Sequence, residues 1–315
     1  MKWMIFTLAM IPGVLFAQSY SEVDEFAQSV KYNQDYKKTA TTLAAPYTKQ
    51  TQKARAIFSW IAYHFKYDDR QYEQYQKDSG DRITYSTQEE LERKQQERIE
   101  KKIEAAMRKK RGVCQDLTWL YQAMLKEVGI KSEFVTGYSR NNPAQMGRVP
   151  KDARHAWNAI QIDGQWGLCD LTWSISMFEP RGDDFFLMLP EDFLKSHYPE
   201  EEKWQLVDTS ISLEQWSNRL YYHKSYATYK ITSIKVDGQA YDYMTVPYNS
   251  IFEIVLADNS PEVYALKPKA KKQIKLDFDG NTHHLNFEDH KLRGQVKIGV
   301  RKGDLIETLL EFKVE

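Results

Sequence analysis

Cysteine is scarce: the 315 residues contain two, Cys114 and Cys169. Two thiols cannot build a disulfide scaffold, nor can they alone complete a cysteine-rich zinc site. A surplus of either charge is missing too, because 44 Lys and Arg stand against 44 Asp and Glu. That balance excludes the basic stripe of a nucleic-acid binder and the polybasic patch of a membrane-surface protein. Beyond the N-terminus no apolar run approaches the roughly 20 residues of a spanning helix. The chain has no internal repeat, low-complexity tract, EF-hand loop, glycine-rich phosphate loop or paired-carboxylate signature. What remains is a soluble chain whose length suits two domains of roughly 100–200 residues.

The one long apolar run opens the chain. Lys2 supplies a positive charge, Ile5 to Phe16 is almost wholly apolar, and Ala17 precedes Gln18-Ser19. This is the pattern of an export signal cut after a small residue, over residues 1–17. Pro12-Gly13 would break a spanning helix, and no cysteine follows the run to carry a lipid anchor. The expectation is a protein working outside the cytoplasm, periplasmic or extracellular, with no membrane span once the signal is removed.

Tyr20 to Leu43 reads as one or two helices. Ala54, Ile57, Phe58, Ile61 and Phe65 then recur at three- and four-residue steps and predict a helix with one apolar face. The polar, tyrosine-rich stretch 69–81 reads as a loop. From Ser86 to Lys110 mixed charges surround a thin stripe of Ile99, Ile103 and Met107. Thr87 and Glu90 there have capping-box spacing. This predicts a surface helix inserted at about 86–110, either simply solvated or acting as a lid or dimerisation arm. Gly112 breaks the pattern before Leu117, Leu120, Tyr121, Met124, Leu125 and Val128 resume helical spacing, and Gly129 supplies a stop. Phe134–Tyr138 reads as a strand and 141–150 as a loop. No tryptophan falls after Trp216. From there short strand-like runs (229–236, 251–256, 273–278, 295–300, 306–314) with Asp-Gly turns predict a β-sandwich, Ig-like, over 217–315.

Cys114 opens the helix that follows Gly112. A thiol at a helix N-terminus meets unpaired backbone N–H groups and the positive end of the dipole, which favour thiolate. Position alone fits a buried small apolar residue equally well. A nucleophilic cysteine needs a base and a group to orient it. His155 to Ile162 reads as a strand, Asp163-Gly164 as a two-residue turn, and Gln165 to Thr172 as the returning strand. Ile162 would then face Gln165, Trp157 would face Asp170, and His155 would face Thr172. Opposed residues share a face. His155 and Asp170 become diagonal neighbours, at the spacing of about 7–8 Å that an imidazole and a carboxylate can bridge. The alternative is a half-buried hairpin with chance polar residues. Parity puts Cys169 opposite Asn158 on the other face, where it should be a packed core residue and should not meet Cys114.

The order Cys114, His155 on a strand, Asp170 on the returning strand resembles the transglutaminase-like (papain-related) superfamily. The matching pieces are residues 53–61 with Tyr67-Asp68, Gly112-Val113-Cys114-Gln115-Asp116, Gly137-Tyr138, His155-Ala156-Trp157-Asn158 and Cys169-Asp170-Leu171-Thr172-Trp173. Phe185-Phe186-Leu187, His197-Tyr198-Pro199 and Trp204-Gln205-Leu206 are similar to the branch that includes kyphoscoliosis-peptidase-like proteins. The resemblance implies an α+β fold: a papain/transglutaminase-like core, helices packed on an antiparallel sheet, over 18–216, followed by the C-terminal β-sandwich. It implies Cys114 as nucleophile, His155 as general base and then acid, and Asp170 as its orienting group. Animal transglutaminases place a tryptophan shortly before the nucleophile to bind the oxyanion, and nothing equivalent stands between Gln88 and Val113. Trp60 and Tyr67 are alternatives for that task, each also readable as core. His197 reads as structural. His283, His284 and His290 lack the acidic or cysteine neighbours of a metal site. No cofactor, metal or calcium dependence is implied. The expected activity is attack on peptide or protein amides through a thioester, hydrolytic by default. The alternatives are a glutamine transglutaminase or deamidase, and a non-catalytic envelope binding or assembly module. The expected partner is a protein or peptide substrate. Nothing in the chain speaks to oligomeric state.

Overall fold

The computed structural model describes residues 20–77, 83–140, 142–175, 185–257 and 261–315. The expected export signal lies outside them. No helix among the described residues is long and apolar enough to cross a membrane.

The first half is a helical layer. Helices α1 (Ser21–Ser29), α2 (Tyr36–Ala44) and α3 (Gln50–His64) follow the apolar spacing of the sequence. Ala54, Ile57, Trp60 and Ile61 of α3 are fully buried. α1 is tied to α3 by a bidentate pair, Arg55 Nε and Nη2 donating to Asp24 at 2.7 and 2.8 Å. Strand β1 (Lys66–Tyr67) comes next. The stretch expected as a loop is instead helical over Asp69–Lys77, α4. The cause is local: Asp68 Oδ1 accepts the Gln71 N–H at 3.1 Å, an aspartate cap on a run without proline or glycine. The charged segment forms α5 (Gln88–Lys109), with Thr87 capping the Glu90 N–H and Ile103, Ala106 and Met107 buried.

Strand β2 (Arg111–Gly112) pairs in parallel with β1, placing Tyr67 across from Gly112, and leads into α6 (Cys114–Glu127). Strands β3 (Ser132–Ser139), β4 (His155–Ile162), β5 (Gln165–Cys169), β6 (Phe186–Met188) and β7 (His197–Pro199) form one antiparallel sheet in the order β6-β5-β4-β3-β7. Its two faces are both covered, which the period-two alternation of β4 records. Ile160 and Ile162 pack with the helices, whereas Trp157 and Ala159 join a core shared with the C-terminal strands.

That C-terminal part is two packed sheets. One contains Ile231–Val236, Ile251–Leu256, Thr282–Asn286 and Asp277–Asp279, and the other Leu305–Val314, Gly294–Lys302, Val263–Lys267 and Lys272–Lys275. The single strand expected over 273–278 is divided between them. Leu276, buried and donating its N–H to the Val263 carbonyl, is where the chain crosses from one sheet to the other.

Candidate active site

The start of α6 is fixed before any side chain is considered. Asp68 N–H bonds the Gly112 carbonyl at 3.1 Å, and Leu117 N–H bonds the Val113 carbonyl. Asp116 Oδ2 accepts from Val113 N–H at 3.3 Å and from Gln71 Nε2 at 2.7 Å. Burial pushes the Asp116 carboxyl above its ordinary value, against the lowering effect of Lys102 and of its bonds to Val113 and Gln71. Cys114 therefore sits at the first position of a pinned helix, 8% exposed.

The hairpin β4–β5 has the register that parity predicts, with Ile162 opposite Gln165 and Asn158 opposite Cys169. It ends three pairs early. The sequence reading carried the returning strand to Thr172 opposite His155, but β5 stops at Cys169 and Leu171–Ile175 forms a short helix, α7. Asp170 is the reason. Its Oδ1 accepts the Trp173 N–H at 3.0 Å, an N-cap that competes with strand continuation. Freed from the ladder, its Oδ2 meets His155 Nε2 at 2.5 Å. The Cys114 side chain lies close enough to the same ring to act on its protonation. Since Nε2 is engaged by Asp170, Nδ1 is the nitrogen left for sulfur. Cys114, His155 and Asp170 are thus brought together, and Cys169 is fully buried on the other face, both thiols being free.

Burial alone would disfavour an imidazolium at His155, but the adjacent Asp170 carboxylate outweighs it and the ring is pushed up to about 10. Asp170 is fully buried, which would raise it, yet its two histidine partners hold it well below the usual carboxylate range. The second of those partners is His197, whose Nε2 lies 2.9 Å from the same Oδ2. The sequence reading gave His197 a structural role. The pairing of Ser139 in β3 with His197 in β7 brings it to the site. A short-range pattern could not have shown this, because β7 joins the sheet from beyond the hairpin.

Of the two aromatic side chains considered as oxyanion donors, Trp60 is committed elsewhere. Its Nε1–H donates to the Val30 carbonyl at 3.0 Å and its ring stacks on Tyr32. Tyr67 stands across from Gly112, two residues before the sulfur. Burial first, and then charge at Cys114 and Asp170, drives its hydroxyl well above the ordinary value, so it remains a donor. As for metals, the described residues offer one group of three possible ligands: His155, Asp170 and His197. Their Nε2 and Oδ2 atoms already face one another in hydrogen bonds, and the Trp173 N–H fixes the carboxylate, so the set is built as a proton-handling array.

Residues 37–171, which include α6, His155 and Asp170, match the family model of the transglutaminase-like superfamily. These residues form a transglutaminase-like domain. Human kyphoscoliosis peptidase is 26% identical over 217 residues, covering 66% of this chain and 30% of that protein. Hillarin of Drosophila melanogaster is 25% identical over 232 residues, covering 63% of this chain and 24% of its own length. The chain thus spans less than a third of the curated relatives it matches. Among solved structures, a TGase is similar at TM-score 0.31 and 11% identity, over 54% of this chain and 36% of that one. A candidate cysteine protease from Cytophaga hutchinsonii is similar at TM-score 0.28 and 20% identity, over 51% and 45%. The transglutaminase-like domain carries the cysteine, histidine and aspartate; the C-terminal sheets lie beyond the matched span.

Proposed function

We propose that this protein is an exported cysteine enzyme acting on peptide or protein amides, with water as the acyl acceptor. The observation that carries the reading is His155 bonded to Asp170 at 2.5 Å, with Cys114 at the head of α6 close enough to act on the same ring. In the first half-reaction the Cys114 sulfur attacks the amide carbonyl carbon, giving a tetrahedral oxyanion. The Cys114 backbone N–H and the Tyr67 hydroxyl are the donors for that oxygen. The C–N bond breaks as His155 gives its proton to the departing amine, leaving a thioester. In the second half, His155 takes a proton from water, hydroxide adds to the thioester, and the carboxylic acid leaves as sulfur recovers its charge. Asp170 holds the ring throughout and stabilises its charged form, the role an aspartate plays in other triads. Cys114 and His155 both keep some exposure to solvent, which favours water over an excluded-water transfer. Export rests on the leader pattern of residues 1–17.

The test is mass spectrometry of a peptide library after incubation with the mature protein, with and without a primary amine. Peptides cleaved with uptake of one water support hydrolysis. Glutamine deamidation or amine incorporation would replace it with the transfer reading. Silence in every channel, together with alkylation of Cys114 by iodoacetamide that His155→Ala leaves unchanged, would leave a binding module. Cys114→Ala is expected to abolish turnover and labelling while keeping stability within about 1 kcal/mol, since it removes one small side chain.

A further inference from the structure

His197 is fully buried, and its two nitrogens are both committed. Nε2 lies 2.9 Å from Asp170 Oδ2, and Nδ1 lies 2.8 Å from the Ser196 hydroxyl, which in turn is 3.1 Å from the Tyr226 hydroxyl. Tyr226 also donates to the Asp192 carbonyl at 2.8 Å. The ring is walled by Phe193, stacked at 4.2 Å between centroids, and by Trp173 at 4.5 Å, Trp157 and Phe185. The charged groups acting on it are Asp170, His155 and Lys224, the last lying over the Trp173 ring at 4.5 Å. In so apolar a shell a charged imidazole is costly. Burial, aided by the charges of His155 and Lys224, holds His197 down to about 4 in spite of the Asp170 bond.

We propose that His197 is a positioning residue for the reaction: a buried imidazole that shares Asp170 Oδ2 with His155 and keeps the carboxylate ionised and aimed. The argument is one of satisfaction. A carboxylate with no exposure needs donors on both oxygens. Trp173 N–H serves Oδ1, while Oδ2 has His155 and His197. Without the second donor on Oδ2, the proton in the short His155–Asp170 bond would gain affinity for oxygen. His155 would then lose both the charge that stabilises it and its orientation toward sulfur. An ionised Asp170 Oδ2 can only accept, so the His197 proton belongs on Nε2, and Nδ1 is left to accept from the Ser196 hydroxyl. Any buried imidazole needs partners for its nitrogens; what a histidine serving only as packing would not need is the very carboxylate oxygen that the reacting ring uses.

This inference rests on the proposed Cys114–His155–Asp170 reading, and the test separates the two. Alkylation of Cys114 by iodoacetamide is followed from pH 5 to 10 in the wild type, His155→Ala, His197→Gln and His197→Phe. Gln keeps an N–H donor at nearly the Nε2 position; Phe keeps the ring and loses it. His197→Phe is expected to slow alkylation at least tenfold and to displace its pH profile, whereas His197→Gln should stay within about threefold with the profile retained. A folded His197→Phe with the wild-type profile overturns the inference, and labelling insensitive to His155→Ala overturns the underlying reading instead. A second measurement needs no variant to fold. Nitrogen NMR of wild-type histidines should show His197 neutral, protonated on Nε2, from pH 5 to 9. Titration of His197 near the ordinary histidine value, or a proton on its Nδ1, overturns the proposal.

Discussion

Asp170 accepts from a backbone N–H on one oxygen and from two imidazoles on the other, so its charge is held in place from three directions. The consequence for His155 is a ring that stays protonated to about 10. Asp170→Asn removes the negative charge while keeping a side chain able to cap α7. The alkaline limb of Cys114 alkylation should then fall from about 10 toward the ordinary histidine range, and the rate with it; an unmoved limb would take Asp170 out of the mechanism. Tyr67→Phe addresses a different atom. Alkylation forms no oxyanion, so its rate should hold, while amide turnover should fall on the order of a hundredfold, as when one oxyanion donor is removed. Equal loss of both would make Tyr67 a packing residue. Placement at this scale was legible where it depended on residue type and parity: Cys114 after Gly112 and His155 at the head of a strand. Asp170 was expected beside His155 as a strand neighbour and reaches it instead from the cap of α7. His197 was not legible, because its partner is set by a strand that joins the sheet some thirty residues downstream of the hairpin turn.

Elements carry these side chains through close backbone approach. At Gly137 of β3, opposite His155 and also paired with Pro199 of β7, a Cβ would run into the Trp157 ring and the Tyr198 carbonyl. The strands that bear His155 and His197 therefore meet at a position where only glycine fits. Gly137→Ala should lower the melting temperature and also slow Cys114 alkylation, since both histidines must move; a loss of stability with a full alkylation rate would show the strands adapting independently. The hairpin register could be read because its side-chain period is two and its turn is Asp163-Gly164. Its early end could not be read from alternation. Alternation continues through Asp170 to Thr172, and what stops the strand is a carboxylate that finds a helix N–H instead. The same kind of cap, from Asp68, turned an expected loop into α4. In both cases an aspartate before a helix-compatible run was the signal, hidden by strand alternation at Asp170 and by polar composition after Asp68.

Across the whole molecule, one core passes from Trp157 of the transglutaminase-like domain through Phe193 into Tyr222, Tyr226 and the C-terminal sheets. Arg140 Nη1 bonds the Leu220 carbonyl at 2.9 Å across the same seam. The buried histidines should give this joint structure a dome-shaped stability against pH. His197 has a native value of about 4, below the ordinary 6.5. The unfolded chain therefore binds a proton that the native state refuses, and stability is full above 6.5 and lost as pH falls toward 4. His155, raised to about 10, contributes fully below 6.5 and less as pH rises through 10. Melting curves from pH 4 to 10 should peak near 6.5, with His197→Gln flattening the acid flank and Asp170→Asn the alkaline one. The division into a helical core and a strand-rich C-terminal part was visible in composition. The shared core between them was not, because apolar strand residues look alike whichever sheet they cover. A last consequence concerns Asp170, which closes a strand and begins a helix as well as steadying His155. Under the proposed reaction, a descendant that lost turnover would still be under selection to keep it. In a survey of relatives, then, retention of this aspartate says little about turnover. Cys114 and His155, which cap no helix with their side chains, are the positions whose replacement would bear on the proposed reaction.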